Sequence, residues 1–214
     1  MKKDIREALE ASDYERVAAL AVSNRRAFGV LTAFANDKDD IFCWRAIEAM
    51  GHAARAVDPD RPEILRNVVQ RLIWSAREES GGMGWSAPEL LAEIVCARPH
   101  VFADVPPIIV SLHSEDEENV FRRGVLWAIG RMAAAGIRDI PGSREILLES
   151  LGNRDTAVRG LAAWALARTR SSGMSVKLKE ISDDPAIFRV YEDGELREAT
   201  VGGMARAALT PVKT

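Results

Sequence analysis

Apolar residues recur at helical spacing along most of this chain. In residues 63–73, Glu-Ile-Leu-Arg-Asn-Val-Val-Gln-Arg-Leu-Ile, they fall at 64, 65, 68, 69, 72 and 73, which winds them onto one face of a helix. Asp60 ahead of Pro62 and Glu63, Ser86 ahead of Pro88 and Glu89, and Ser143 ahead of Arg, Glu and an apolar run read as helix starts. A short oxygen-bearing side chain there accepts from the free amides of the first turn, and proline costs nothing where no amide is needed. Gly136, Gly152 and Pro99 read as stops. The pattern predicts helices near 2–11, 13–22, 24–36, 39–57, 61–79, 85–97, 105–113, 117–135, 143–151, 155–170, 173–181 and 200–209. One stretch departs from it. Ile187 to Tyr191 and Glu195 to Ala199 are β-prone runs flanking Glu192-Asp193-Gly194, and Asp-Gly between such runs predicts a short β-hairpin. Two strands alone are marginal in water, so the hairpin is expected to lie against the last helices and cover the open end of the array.

The helices also repeat. Trp44-Arg-Ala-Ile-Glu-Ala-Met-Gly51 aligns with Trp85-Ser-Ala-Pro-Glu-Leu-Leu-Ala92, and Val125-Leu-Trp-Ala-Ile-Gly130 with Ala162-Ala-Trp-Ala-Leu-Ala167, the latter pair each preceded by an arginine, Arg122 and Arg159. Gly51, Ala92, Gly130, Ala167 and Ala205 then mark one position in five units of similar length. A small residue at that position lets a neighbouring helix approach closely.

The run Asn153-Arg-Asp-Thr-Ala-Val-Arg-Gly-Leu-Ala-Ala-Trp-Ala-Leu-Ala-Arg168 resembles HEAT repeats of the phycobilisome-lyase type, whose second helix opens with an acidic residue and Val-Arg and continues in alanine pairs. Arg122 to Gly130 resembles the same pattern less closely, and Trp44 to Gly51 and Trp85 to Ala92 more weakly. The resemblance implies an all-α, right-handed α-α superhelix of about five HEAT-like hairpins. Residues 1–214 would form a single domain, with cap helices in 1–36, repeats in 37–182 and a capping hairpin and helix in 183–214. Families with such repeats include bilin lyases, protein scaffolds, a di-iron hydroxylase and a DNA glycosylase, so the resemblance implies a fold and leaves the activity open.

Composition narrows the partners. The chain is 47% hydrophobic, 29% charged and 6% aromatic, the profile of a folded protein with no need of staples. Twenty-nine basic against thirty-two acidic residues give a net charge of −3, so no global positive field draws in nucleic acid. The apolar stretch from Val125 to Gly136 is broken by Arg131 and falls short of the roughly 18–20 residues that span a bilayer, and the charged opening MKKDIREALEASD reads as no export signal. Cys43 and Cys96 are isolated thiols in helical, apolar settings. That usage suits core packing in a reducing compartment, and the expected location is the cytoplasm.

Candidate chemistry is sparse. The di-iron relatives implied by the resemblance use paired His-Glu steps on successive helices; His52, His100 and His113 each lack a following carboxylate, so no metal and no cofactor is expected. No nucleophile elbow, phosphate-binding Gly-Lys-Ser/Thr loop or dinucleotide fingerprint occurs, so no catalytic residue is assigned. In Ser80-Gly-Gly-Met-Gly-Trp85, the amides of Gly81, Gly82 and Gly84 precede a helix start and are placed to hold an anion, although a sharp inter-helix turn asks for the same glycines. Glu48 and Glu89 occupy matching positions, as do Trp127 and Trp164. If they line the concave face they form a binding stripe, acidic at one end and aromatic at the other, with Trp85 and Arg45 alongside. The competing reading makes Glu89 the partner of Ser86 in a capping box and the tryptophans core. Arg122 and Arg159 follow Glu118 and Asp155 by four, the spacing of helix-surface ion pairs, and Glu115 to Glu118 reads as a solvated helix start.

The expected function is a protein-binding scaffold that takes a partner segment in its concave groove. A lyase or carrier for a linear tetrapyrrole is the alternative, a small-molecule role suggested by the lyase-type repeat and the tryptophans. An alkylpurine glycosylase role on DNA comes third and lacks a basic surface.

Overall fold

A computed structural model of the chain describes residues 1–77, 85–115, 120–169 and 175–210. Its elements in order are α1 (Lys2–Glu10), α2 (Tyr14–Ser23), α3 (Arg26–Phe34), α4 (Ile41–Ala56), α5 (Glu63–Ala76), α6 (Ala87–Ala97), α7 (Pro106–Ser111), a 3-10 turn (Leu112–Glu115), α8 (Val120–Ala134), α9 (Ser143–Ser150), α10 (Thr156–Thr169), α11 (Ser175–Glu180), β1 (Ile187–Glu192), β2 (Glu195–Thr200) and α12 (Val201–Leu209). Each predicted helix has a counterpart among the described residues, displaced by a few positions at its ends. The hairpin is present as well. β1 and β2 pair antiparallel from Ile187 opposite Thr200 to Glu192 opposite Glu195. Asp193 and Gly194 turn between them with φ of 52° and 80°, the left-handed pair that a tight hairpin of matching twist requires.

The chain forms two compact units, residues 1–105 and 106–214. In the first, α2, α4 and α6 pack side by side as one layer, while α1, α3 and α5 rest on α2, α4 and α6 respectively. In the second, α8, α10 and α12 make the corresponding layer, with α7 against α8, α9 against α10 and α11 against α12. The sequence explains the division of labour. α5 buries a single stripe, Leu65, Val69 and Leu72, and keeps its polar side in water. α4 buries Cys43, Trp44, Ala46, Ile47, Ala49, Met50, Gly51, Ala53 and Ala54, more than one face, as a helix between neighbours on several sides must. α10 is apolar all round in the same way.

The recurring small residues serve close packing. A Cβ on Gly51 would collide with the Glu93 side chain of α6, and one on Gly130 would stand within 3.0 Å of the Trp164 ring of α10. Asp13, Asp40 and Thr200 cap helix N-termini with their own side chains, and an arginine from elsewhere in the chain closes the C-terminal end of α4. Arg98 donates to the carbonyls of Ala54 (3.4 Å), Arg55 (2.8 Å) and Val57, placing a cation at the negative end of α4. Arg159 does not form the ion pair with Asp155 that its spacing suggested: it binds Asp184 (2.9 Å) and the carbonyls of Asn153 and Arg154, while Asp155 pairs with Arg123. A loop carboxylate in range and two unsatisfied carbonyls outcompete the exposed pairing along the helix, which is worth only ~0.5 kcal/mol.

Candidate functional site

The residues proposed as a stripe are engaged inside the fold. Trp127 is 2% exposed, and its indole Nε1 donates to the Tyr191 carbonyl at 2.9 Å, so β1 lies over the helix face that the tryptophans were expected to offer. Trp164, also 2% exposed, lies against Gly130, and the Arg168 guanidinium stacks 4.0 Å from its ring centroid. Its Nε1 has no hydrogen-bond partner among the described residues. Arg45 donates to the carbonyls of Leu9 (3.4 Å) and Glu10 (3.0 Å) and so closes the C-terminal end of α1. Glu48 accepts from the Tyr14 hydroxyl at 3.0 Å, and the Tyr14 ring stacks on His52 with centroids 4.8 Å apart. Trp85 is 46% exposed, while its carbonyl accepts from Lys38 Nζ at 2.9 Å. Gly81, Gly82 and Gly84, and with them the proposed anion-binding turn, lie outside the described residues, as does the acidic run at 116–118.

Glu89 is the most unusual of the set. It stands in the first turn of α6 at 1% exposure, and its Oε1 meets Lys38 Nζ at 2.5 Å. The capping box does not form, for Ser86 makes no side-chain cap and the carboxylate turns to the lysine. A buried carboxylate needs a compensating cation, and Lys38 supplies it. Glu89 Oε2 has no hydrogen-bond partner among the described residues. Cys43 shares these surroundings, and burial first, then the Glu89 charge, pushes its thiol up to about 12, far from the range of a nucleophile. Among the described residues no three His, Cys, Asp or Glu side chains converge to hold a metal, and no helix is long and apolar enough to cross a membrane.

The open site lies elsewhere in the first unit. α3 rests on α4 and α5 on α6, and between α3 and α5 runs a groove of about 610 Å³. Its walls are Phe28, Gly29 and Thr32 of α3 with Arg25 and Asn36 flanking that helix, and the stripe Ile64, Val68, Arg71 and Ser75 from α5 at helical spacing. Phe28 and Leu72 give it an apolar floor, Arg25, Arg26 and Arg71 a charged rim, and Trp74, 64% exposed, one end. Among the described residues nothing stands within 4 Å of where a Cβ on Gly29 would be. The repeat alignment passed over these residues, because it concerns the helices of the other layer. One signal does exist. Trp74 falls just beyond the apolar positions 64, 65, 68, 69, 72 and 73, so the helical period turns it away from the face that α5 buries.

Comparison with known proteins gives the same architecture. Residues 119–169, from the start of α8 to the end of α10, match the HEAT-like repeat family model. A protein of Archaeoglobus fulgidus described as uncharacterized is 31% identical over 164 residues, covering 76% of this chain and 81% of its own length. The fold is similar to that of an engineered protein (TM-score 0.56, 18% identity, 97% of this chain and 88% of that one). It is equally similar to a designed armadillo repeat protein (TM-score 0.55, 16% identity, 97% and 91%). With its repeated helix pairs, small-residue contacts and family match, this chain is a HEAT-like repeat protein of the same family as the Archaeoglobus fulgidus protein.

Proposed function

We propose that this protein is a binding scaffold that holds a segment of another protein against the α3 and α5 face of its first unit. The observation that carries the proposal is the groove itself: about 610 Å³, apolar at its floor, open at Gly29 and flanked by an exposed tryptophan. Isolated exposed apolar residues are ordinary, whereas an aromatic beside a concave apolar surface is the usual form of a recognition site. A concave stripe of Glu48, Glu89, Trp127 and Trp164 has less support, because Trp127, Trp164 and Glu89 are buried and engaged. The tetrapyrrole reading is weakened in the same way, for of the five tryptophans only Trp74 and Trp85 are exposed.

The test is a pull-down from the source organism's lysate with wild type, Gly29→Leu and Trp74→Ala, each checked by circular dichroism. A partner held by wild type and lost from Gly29→Leu supports the groove, because the added side chain enters space that the fold leaves open. Equal retention by all three moves the binding surface off α3 and α5.

A further inference from the structure

Resting on the scaffold reading, we propose that the α3–α5 groove recognises an acidic amphipathic helix of a partner protein. Arg25, Arg26 and Arg71 line it, no Asp or Glu does, and none of the three arginines meets a carboxylate among the described residues. That excess is local, since the whole chain carries −3. Arg45, Arg66, Arg98 and Arg159, by contrast, are bound to carbonyls or carboxylates. Of the other polar side chains at the groove, Thr32 Oγ1 donates to the Phe28 carbonyl, Ser75 Oγ to that of Leu72 and Asn36 to that of Ala33, which leaves the uncharged Asn67 amide beside the arginines among the described residues. The guanidinium groups are therefore the charged donors left for an occupant, and their fork geometry suits carboxylates.

Size and shape set the rest. The walls run from Arg25 to Asn36 and from Ile64 to Ser75, so the groove is ~16 Å long, about three helical turns. A helix of that length presents apolar residues at i, i+3 or i+4, and i+7 to the Phe28 and Leu72 floor, and Asp or Glu on its flanks reach the arginines. Gly29 and Ala33 give the incoming side chains room, and Trp74 covers the end residue. Exposed ion pairs add little affinity one by one, so the apolar contacts hold the helix while the charges choose it and set its direction.

The experiment titrates the full chain into a fluorescein-labelled synthetic peptide of about fourteen residues, leucine at the inward positions and glutamate on the flanks, with fluorescence anisotropy as the readout. The expected result is saturable binding that weakens with salt and falls about tenfold in each of Gly29→Leu and Arg71→Glu, with no loss of thermal stability in either. A version of the peptide with lysine for glutamate should not bind. Equal binding of the lysine peptide overturns the acidic specificity, and so does acidic-peptide binding that Gly29→Leu leaves intact. Tighter binding of a single-stranded oligonucleotide, abolished by Gly29→Leu, also overturns it and makes the groove a phosphate site. If no peptide binds while Gly29→Leu still loses a partner captured by wild type, this proposal falls and the scaffold reading stands.

Discussion

Gly160 on α10 and Gly29 on α3 both leave a gap on a helix surface, yet only one gap is filled. The Phe188 ring of β1 lies against Gly160, so closely that a Cβ there would be under 3.0 Å from it, whereas a Cβ on Gly29 would meet none of the described residues within 4 Å. The region around α8, α10 and the hairpin consumes its own recognition groups. Gly130 receives Trp164, Trp127 is tied to Tyr191, and Arg168 stacks on Trp164 and pairs with Glu192. The region between α3 and α5 keeps a tryptophan and three arginines at the surface. The two regions teach that a small residue in a repeat helix marks a place where something packs, and only its surroundings tell whether that something belongs to the chain.

The sharpest way to break this contrast is to give the filled glycines a methyl group. Gly130→Ala and Gly160→Ala each force an aromatic ring out of its seat, and because Trp164 and Phe188 are 2% and 4% exposed, neither ring has free space to enter. Overpacking of this kind costs about 1–3 kcal/mol, which outweighs the gain in helix propensity from replacing glycine. Urea denaturation followed by circular dichroism should show the midpoint fall in both variants. An unchanged midpoint would mean that the rings are not held as described.

Next in size is the joint that fixes the hairpin to α10. Asp184 Oδ1 accepts from the Ala186 amide at 2.9 Å and Oδ2 from Arg159 Nη2 at 2.9 Å, and these two contacts, the amide first, hold its carboxyl below the ordinary 3.8. A folded-state value below the unfolded one gives stability that is present above the unfolded value and is lost as pH falls through the folded value. Asp184→Asn should therefore destabilise by about 1–2 kcal/mol at neutral pH, and the gap between the two melting curves should close as pH drops below the usual carboxylate range. A gap that persists in acid would assign the loss to packing rather than charge.

Much of this fold is legible in the sequence, because its determinants are local. α5 follows from a six-residue apolar stripe, and the hairpin follows from Asp193-Gly194, whose positive φ values only such residues adopt cheaply. What could not be read depends on distant partners. Glu89 finds Lys38 fifty-one positions back, and Trp127 finds Tyr191 sixty-four positions on, and no local pattern reports either meeting. Alignment of the repeats gave Trp127 and Trp164 a shared position but not what covers it, and β1 covers Trp127. The groove was hidden for a related reason. It exists because α3 and α5 rest on different helices, a property of their placement rather than of either sequence alone.

The tryptophan pair sharpens the filled side of the comparison further. Both indoles are 2% exposed, but Trp127 Nε1 donates to Tyr191 while Trp164 Nε1 has no partner among the described residues. Phenylalanine at either position removes a similar volume, so the two variants share that loss. Trp127→Phe additionally gives up a hydrogen bond, worth about 0.5–1.5 kcal/mol, whereas Trp164→Phe relieves a buried donor of its isolation. Trp127→Phe should be the less stable of the two by about 1 kcal/mol, and a reversed order would place the hairpin off α8.

The smallest effect bears on the open side and has the opposite sign. Gly29 sits inside α3 with helical neighbours on both sides and open space beyond its Cα. Alanine there lowers the entropy of the unfolded chain and suits the helix better, so Gly29→Ala should stabilise the protein by about 0.5–1 kcal/mol. The same methyl group that costs stability at Gly130 and Gly160 thus adds it at Gly29. A melting temperature that rises for Gly29→Ala shows that glycine is not required there by the fold. A fall would mean that the Gly29 surface is covered by the chain itself, and the groove would then cease to be a site for anything else.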